Sequence, residues 1–158
     1  MLGYNCHGTW AGDTLLDRMS KVSIFLVEDN PPDVFLVRRA LAEAGIEYDL
    51  RTTEDAESAA KLIQRLGRDL PYPDIALVDL NMPRGEGTEL IRLLHQHCGT
   101  MPVIVCSSSD YPEDRAAATE MGADEYFRKP ISLDEFMKLG QVVSDLLRTR
   151  AAQSHKAG

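Results

Sequence analysis

The sequence predicts an α/β domain, a parallel doubly wound sheet of five strands flanked by five helices. Two observations carry that prediction. From Lys21 onward, short apolar runs alternate five times with stretches of helical periodicity, and the first of those runs is nearly continuous rather than alternating. A continuous run belongs to a strand covered on both faces. Strand and helix in alternation imply right-handed crossovers, which lay helices on both sides of one sheet.

Each element has its own justification. Val22 to Val27 is the first strand, ending in Glu28-Asp29-Asn30. Asn30 can cap the helix that follows, Pro31 and Pro32 suit its first turn, Val34, Val37, Leu41 and Ala44 recur at helical spacing, and Gly45 can supply a left-handed stop. Tyr48 to Thr52 is the second strand, with Asp55 to Leu66 as its helix, closed by Gly67. After the longer loop Arg68 to Pro73, Ile75 to Val78 is the third strand, and Glu86 to His97 is a helix bearing Leu90, Ile91 and Leu94. Val103 to Cys106 is the fourth strand. Asp110 and Glu113 then offer a capping box for the helix Ala116 to Met121. Tyr126-Phe127 is a short fifth strand, Ser132 with Glu135 a second capping box, and Leu133, Phe136, Met137, Gly140, Val143 and Leu147 form one stripe on the last helix. Residues 21–150 therefore read as one domain, 1–20 as a flexible arm without a recognisable pattern, and 151–158 as a tail too short for a second core.

Composition narrows the function. With 44% apolar and 27% charged residues in 158, the chain can bury a core, and its net charge of −8 has the wrong sign for a binder of phosphate backbones, so no nucleic acid is expected as a direct ligand. No window reaches the roughly 18 consecutive apolar residues of a membrane span, and Met1 to Ser20 has neither a basic start nor an apolar run, so the expected location is cytoplasmic. Cys6, Cys98 and Cys106 lack the spacing of a disulfide framework or metal knuckle and read as reduced thiols.

In an open doubly wound sheet, ligands bind beyond the carboxyl ends of the strands. The first strand ends in Glu28-Asp29, the third in Asp79, the fourth in Ser107, and the fifth runs into Lys129-Pro130. Crowded carboxylates repel one another unless a cation intervenes. Hard oxygen ligands favour Mg²⁺ or Mn²⁺ over Zn²⁺. With such an ion and Lys129, the three carboxylates make an electrically neutral cradle that can receive a dianionic phosphoryl group through metal, Lys129 and Ser107. An aspartate can attack phosphorus to give an acyl phosphate, and Asp79, alone at the end of the central strand, is the best nucleophile candidate.

These residues carry a resemblance. LVEDN at Leu26 to Asn30, LVDLNMPRGEG at Leu77 to Gly87, PVIVCSS at Pro102 to Ser108 and EYFRKP at Glu125 to Pro130, in that order and spacing, resemble the receiver domain of bacterial two-component response regulators. The resemblance covers Val22 to Leu147. It implies a flavodoxin-like sheet of order 2-1-3-4-5 and phosphorylation of Asp79 by a sensor histidine kinase or histidine phosphotransfer protein. It implies Mg²⁺ held by Glu28, Asp29 and Asp79 with the backbone carbonyl of Asn81, and phosphoryl contacts from Ser107 and Lys129. It further implies that Tyr126 swings inward as Ser107 is drawn to the phosphoryl group, that Lys129-Pro130 is a cis peptide, and that Asn81 and Ser109 govern phosphate loss. The 68–73 loop, the LNMP run and the lack of an output domain resemble the single-domain receivers that serve bacterial phytochromes. Pairing of two copies through the signalling face is left open.

Other readings compete. A phosphatase of the haloacid dehalogenase type also uses an aspartate, a hydroxyl, a lysine and Mg²⁺, but its general acid is an Asp two residues beyond the nucleophile, where this chain has Asn81; the expectation is a switch rather than an enzyme. A phosphorylation-independent interaction module would keep the fold without the chemistry. Singly, Glu28-Asp29 reads as a solvated strand end, Ser107 as a loop residue and Tyr126 as a half-buried edge residue; context argues otherwise. Gly85-Glu86-Gly87 lacks the third glycine of a dinucleotide loop, and His95 and His97 read as a solvated helix end.

Overall fold

The structure is a computed structural model that describes residues 21–82 and 87–156. The expected arm at 1–20 and the Gly85-Glu86 turn lie outside the described residues. The elements are β1 (Val22–Val27), α1 (Pro31–Glu43), β2 (Tyr48–Thr53), α2 (Ala56–Ile63), β3 (Ile75–Asp79), α3 (Gly87–Cys98), β4 (Val103–Ser107), α4 (Pro112–Glu120), β5 (Glu125–Arg128), α5 (Leu133–Phe136) and α6 (Lys138–Lys156). The strands are all parallel and ordered β2-β1-β3-β4-β5, the order the resemblance implies.

Alternate residues of each strand face opposite layers. Phe25, Val27, Ala76, Val78, Val103 and Val105 pack under Ala59 and Ile63 of α2, Leu90, Ile91 and Leu94 of α3 and Ala118 of α4. Ile24, Leu26, Ile75, Leu77, Ile104 and Cys106 pack on the other side against Val37, Ala40 and Leu41 of α1, Phe136 of α5 and Leu139 and Val143 of α6. All five residues of β3 and of β4 are buried. Of the predicted stripe, Phe136, Gly140 and Val143 are core, Met137 and Leu147 are half-buried, and Leu133, at the start of α5, is exposed; Gly140 packs directly on α1, where a Cβ would stand 2.2 Å from the Ala40 carbonyl oxygen. Gly45 ends the α1 turn at φ 72° as anticipated.

Local details depart from expectation. Asp110 does not cap α4, because Pro112 takes the first helical position and moves the cap to Tyr111, which has no capping oxygen to offer; Asp110 pairs instead with Arg128 at 3.5 Å. Asn30 and Ser132 stand at cap positions, yet neither side chain makes a capping bond. The last helix breaks after Phe136 into α5 and α6. His95 is no solvated helix end: its Nδ1 lies 3.2 Å from the Gly99 carbonyl oxygen and its Nε2 meets that of Gly122, tying the end of α3 to the turn before β5. The Lys129-Pro130 bond is trans, correcting the cis expectation. Trans is the preferred isomer by about 0.5–1 kcal/mol, and the lysine reaches the carboxylates with it.

Candidate functional site

Five parallel strands with Asp79 ending the central one put every strand-terminal side chain at one edge of the sheet. Glu28 and Asp29 follow β1, Asp79 closes β3, Ser107 closes β4 and Lys129 follows β5. Carboxylate oxygens of Glu28, Asp29 and Asp79 lie within 4.8 Å of one another. Glu28 and Asp79 are buried and Asp29 is half-buried. Backbone pairing fixes the lysine: the Lys129 N–H donates to the Ser107 carbonyl at 2.8 Å, so the chain entering α5 is anchored to the end of β4.

The Lys129 ammonium donates to Glu28 Oε2 at 2.6 Å, Asp33 Oδ2 at 2.7 Å and Asp79 Oδ2 at 3.2 Å. Burial disfavours its charge, but the hydrogen bonds to Asp33 and Glu28 and the charges of Glu28 and Asp79 outweigh that cost and hold it above the usual lysine range. Burial pushes the Glu28 carboxyl up to about 7, with Lys129 pulling down and Asp79 pushing up. Burial first, and the neighbouring Asp79 charge after it, oppose full ionisation of the cluster. Three convergent carboxylates of hard oxygen donors suit a divalent cation that would favour it.

Ser107 is fully buried, and its Oγ accepts from Asn81 Nδ2 at 2.9 Å and from the Ser109 N–H at 3.1 Å. Asn81 also donates to Ser108 Oγ at 3.0 Å, while its own N–H donates to Asp79 Oδ1 at 2.9 Å. Asn81 thereby links the β3 end to the β4 end. Tyr126 is half-buried; its hydroxyl donates to the Ser109 carbonyl at 3.2 Å and its ring lies 4.8 Å beneath the Arg115 guanidinium. Ser109 Oγ hydrogen-bonds Asp114. All the residues singled out from the sequence, namely Glu28, Asp29, Asp79, Asn81, Ser107 and Lys129, therefore meet at this edge, with Tyr126 one loop away.

One residue escaped sequence reasoning. Asp33, in the first turn of α1, pairs with Lys129 and lines the same cleft. An acid in a first helical turn already has a local explanation in the helix dipole, so nothing in the sequence pointed to its partner 96 residues away. The cradle is correspondingly not neutral: four carboxylates face one ammonium, and a divalent cation would still leave one negative charge in excess. Cys106, with its thiol pushed up to about 12 by burial, is inert and, like Cys98, unpaired. No helix among the described residues is long and apolar enough to cross a membrane.

Comparison with known proteins agrees with this fold. A family model for the response regulator receiver domain matches residues 24–140. Response regulator Rcp1 of Synechocystis is 30% identical over 122 residues, which cover 75% of this chain and 83% of Rcp1. The transcriptional regulatory protein TrcR of Mycobacterium tuberculosis is 29% identical over 118 residues, covering 75% of this chain and 43% of TrcR, so the chain spans less than half the length of that relative. The phosphorylated cyanobacterial phytochrome response regulator RcpA superposes with a TM-score of 0.72 at 25% identity, covering 82% of this chain and 96% of RcpA. The Mn²⁺-bound form of Rcp1 gives 0.68 at 29% identity, covering 77% and 91%.

Proposed function

The chain belongs to the response regulator receiver domain family, and from that membership we propose that it is a phosphorylation-dependent switch whose Asp79 takes a phosphoryl group from a phosphohistidine of a sensor histidine kinase or histidine phosphotransfer protein. The observation that carries this reading is the convergence of the Glu28, Asp29 and Asp79 carboxylates within 4.8 Å, with the Lys129 ammonium 3.2 Å from Asp79. An Asp79 oxygen attacks phosphorus, the phosphorus–nitrogen bond breaks, and the departing imidazole nitrogen keeps the electron pair and takes up a proton.

Glu28, Asp29 and Asp79, with the Asn81 carbonyl, would hold Mg²⁺ or Mn²⁺; the Mn²⁺-bound form of Rcp1 supports this. Such an ion supplies positive charge to the equatorial oxygens of the transferring group. Lys129 offers a second positive charge. Ser107, once released by Asn81, offers a hydroxyl donor, and Tyr126 follows the vacated space. The output is a changed surface for protein contacts rather than turnover of an external substrate. RcpA, a phytochrome response regulator, supports a phytochrome-type kinase as the upstream partner.

Acetyl phosphate with Mg²⁺ should add one phosphoryl group to the intact protein, seen by mass spectrometry, and Asp79→Asn should add none. An unmodified wild type would overturn the reading, as would sustained turnover of a chromogenic phosphate ester, which is the mark of a phosphatase.

A further inference from the structure

Lys129 is committed before any phosphoryl group arrives. Its ammonium has three hydrogens to donate, and each faces a carboxylate, those of Glu28, Asp33 and Asp79. The lysine side chain is only 10% exposed, so water does little of the work of solvating it. Glu28 and Asp79 belong to the acidic cluster and lose negative character when a divalent cation is present. Asp33 does not belong to that cluster. It holds the lysine from α1, at 2.7 Å and half-buried, and a cation seated among Glu28, Asp29 and Asp79 leaves Lys129 as its counter-charge.

We propose that Asp33 is a positioning residue that occupies a donor of the Lys129 ammonium in the unphosphorylated protein, so that the Asp33–Lys129 pair must open before Lys129 can bind the phosphoryl group arriving at Asp79. The inference rests on the reading of Asp79 as phosphoacceptor. Two effects add in one direction. Asp33 competes with the phosphoryl oxygens for the same ammonium, and its negative charge repels the dianionic donor at the mouth of the cleft.

Removing the charge should speed loading. Screened as in water, a unit charge about 6 Å from a dianion corresponds to about a threefold to tenfold rate difference. Asp33→Asn and Asp33→Ser are therefore expected to be phosphorylated by acetyl phosphate with Mg²⁺ about three to ten times faster than wild type. The gap should narrow as salt rises, since screening weakens the repulsion. Asp33→Glu restores the charge and should return the rate toward wild type. A merely structural role for Asp33 predicts slower loading in all three variants and no dependence of the ratio on salt. Equal or slower rates in both neutral variants, with the wild type labelled normally, would overturn this inference alone. Absence of label on the wild type would overturn the phosphoacceptor reading and this inference with it. Should Asp33→Asn fail to fold, Asp33→Ser carries the comparison.

Discussion

The clearest consequence of the proposed cation site is that filling it should release a proton. Glu28 sits buried beside Asp79, and burial lifts its carboxyl from 4.5 to about 7. At pH 6 that carboxyl is about 90% protonated in the metal-free protein, and a metal ligand must be ionised. Apparent Mg²⁺ affinity should therefore rise about tenfold from pH 6 to pH 8 and by about as much again from pH 5 to pH 6, with about one proton released per ion bound at pH 6. Calorimetric titration in two buffers of different ionisation enthalpy counts that proton directly. Glu28→Gln should weaken binding and flatten the profile. The same shift has a stability sign. A carboxyl that is harder to ionise in the folded chain than in the unfolded one stabilises the fold below pH 4.5, and that contribution is lost as pH rises through about 7. In EDTA the melting temperature should fall across that window, and Mg²⁺ should restore it. Equal affinity at pH 6 and pH 8, or an undiminished proton count in Glu28→Gln, would refute the reasoning.

Two further outcomes follow from contacts described above. Gly140→Ala places a Cβ 2.2 Å from the Ala40 carbonyl oxygen and 2.7 Å from Ala44 Cβ; overpacking at the upper end of about 1–3 kcal/mol should exceed the roughly 1 kcal/mol gained in helix propensity, so urea unfolding should show a net loss of up to about 2 kcal/mol, and unchanged or greater stability would mean that α1 and α6 separate without cost. Lys129→Met strands buried carboxylates, so in EDTA the protein should lose about 3–5 kcal/mol at pH 8 and less at pH 5, where Glu28 is neutral; denaturant titration at the two pH values reads the difference, and equal losses would count against the buried ion pair.

Much of this was legible in the sequence because it is written locally. The unbroken apolar runs of β3 and β4 announce strands buried on both faces, and every described residue of both is buried. Once a parallel sheet is accepted, strand-end residues must share an edge, so Glu28, Asp29, Asp79, Ser107 and Lys129 could be placed together without coordinates. What stayed hidden depends on distant partners or on competition between local signals. Asp33 looks like a helix-start acid until Lys129 is seen beside it. His95 looks solvated until the Gly122 carbonyl arrives from the turn before β5. Asp110 loses its capping role because Pro112 displaces the helix start by its own fixed φ.

The bond from the Lys129 amide to the Ser107 carbonyl makes these two residues parts of one splice between β4 and the chain leaving β5. Among the described residues β5 is paired on a single side, with β4. A displacement of Ser107 would therefore bear on β5, an edge strand like β2, where Tyr126 lies, more than on the inner strands, which are paired on both flanks. One-sided pairing at the rim against two-sided pairing at the centre would give a small displacement at the acid cluster a preferred direction of travel.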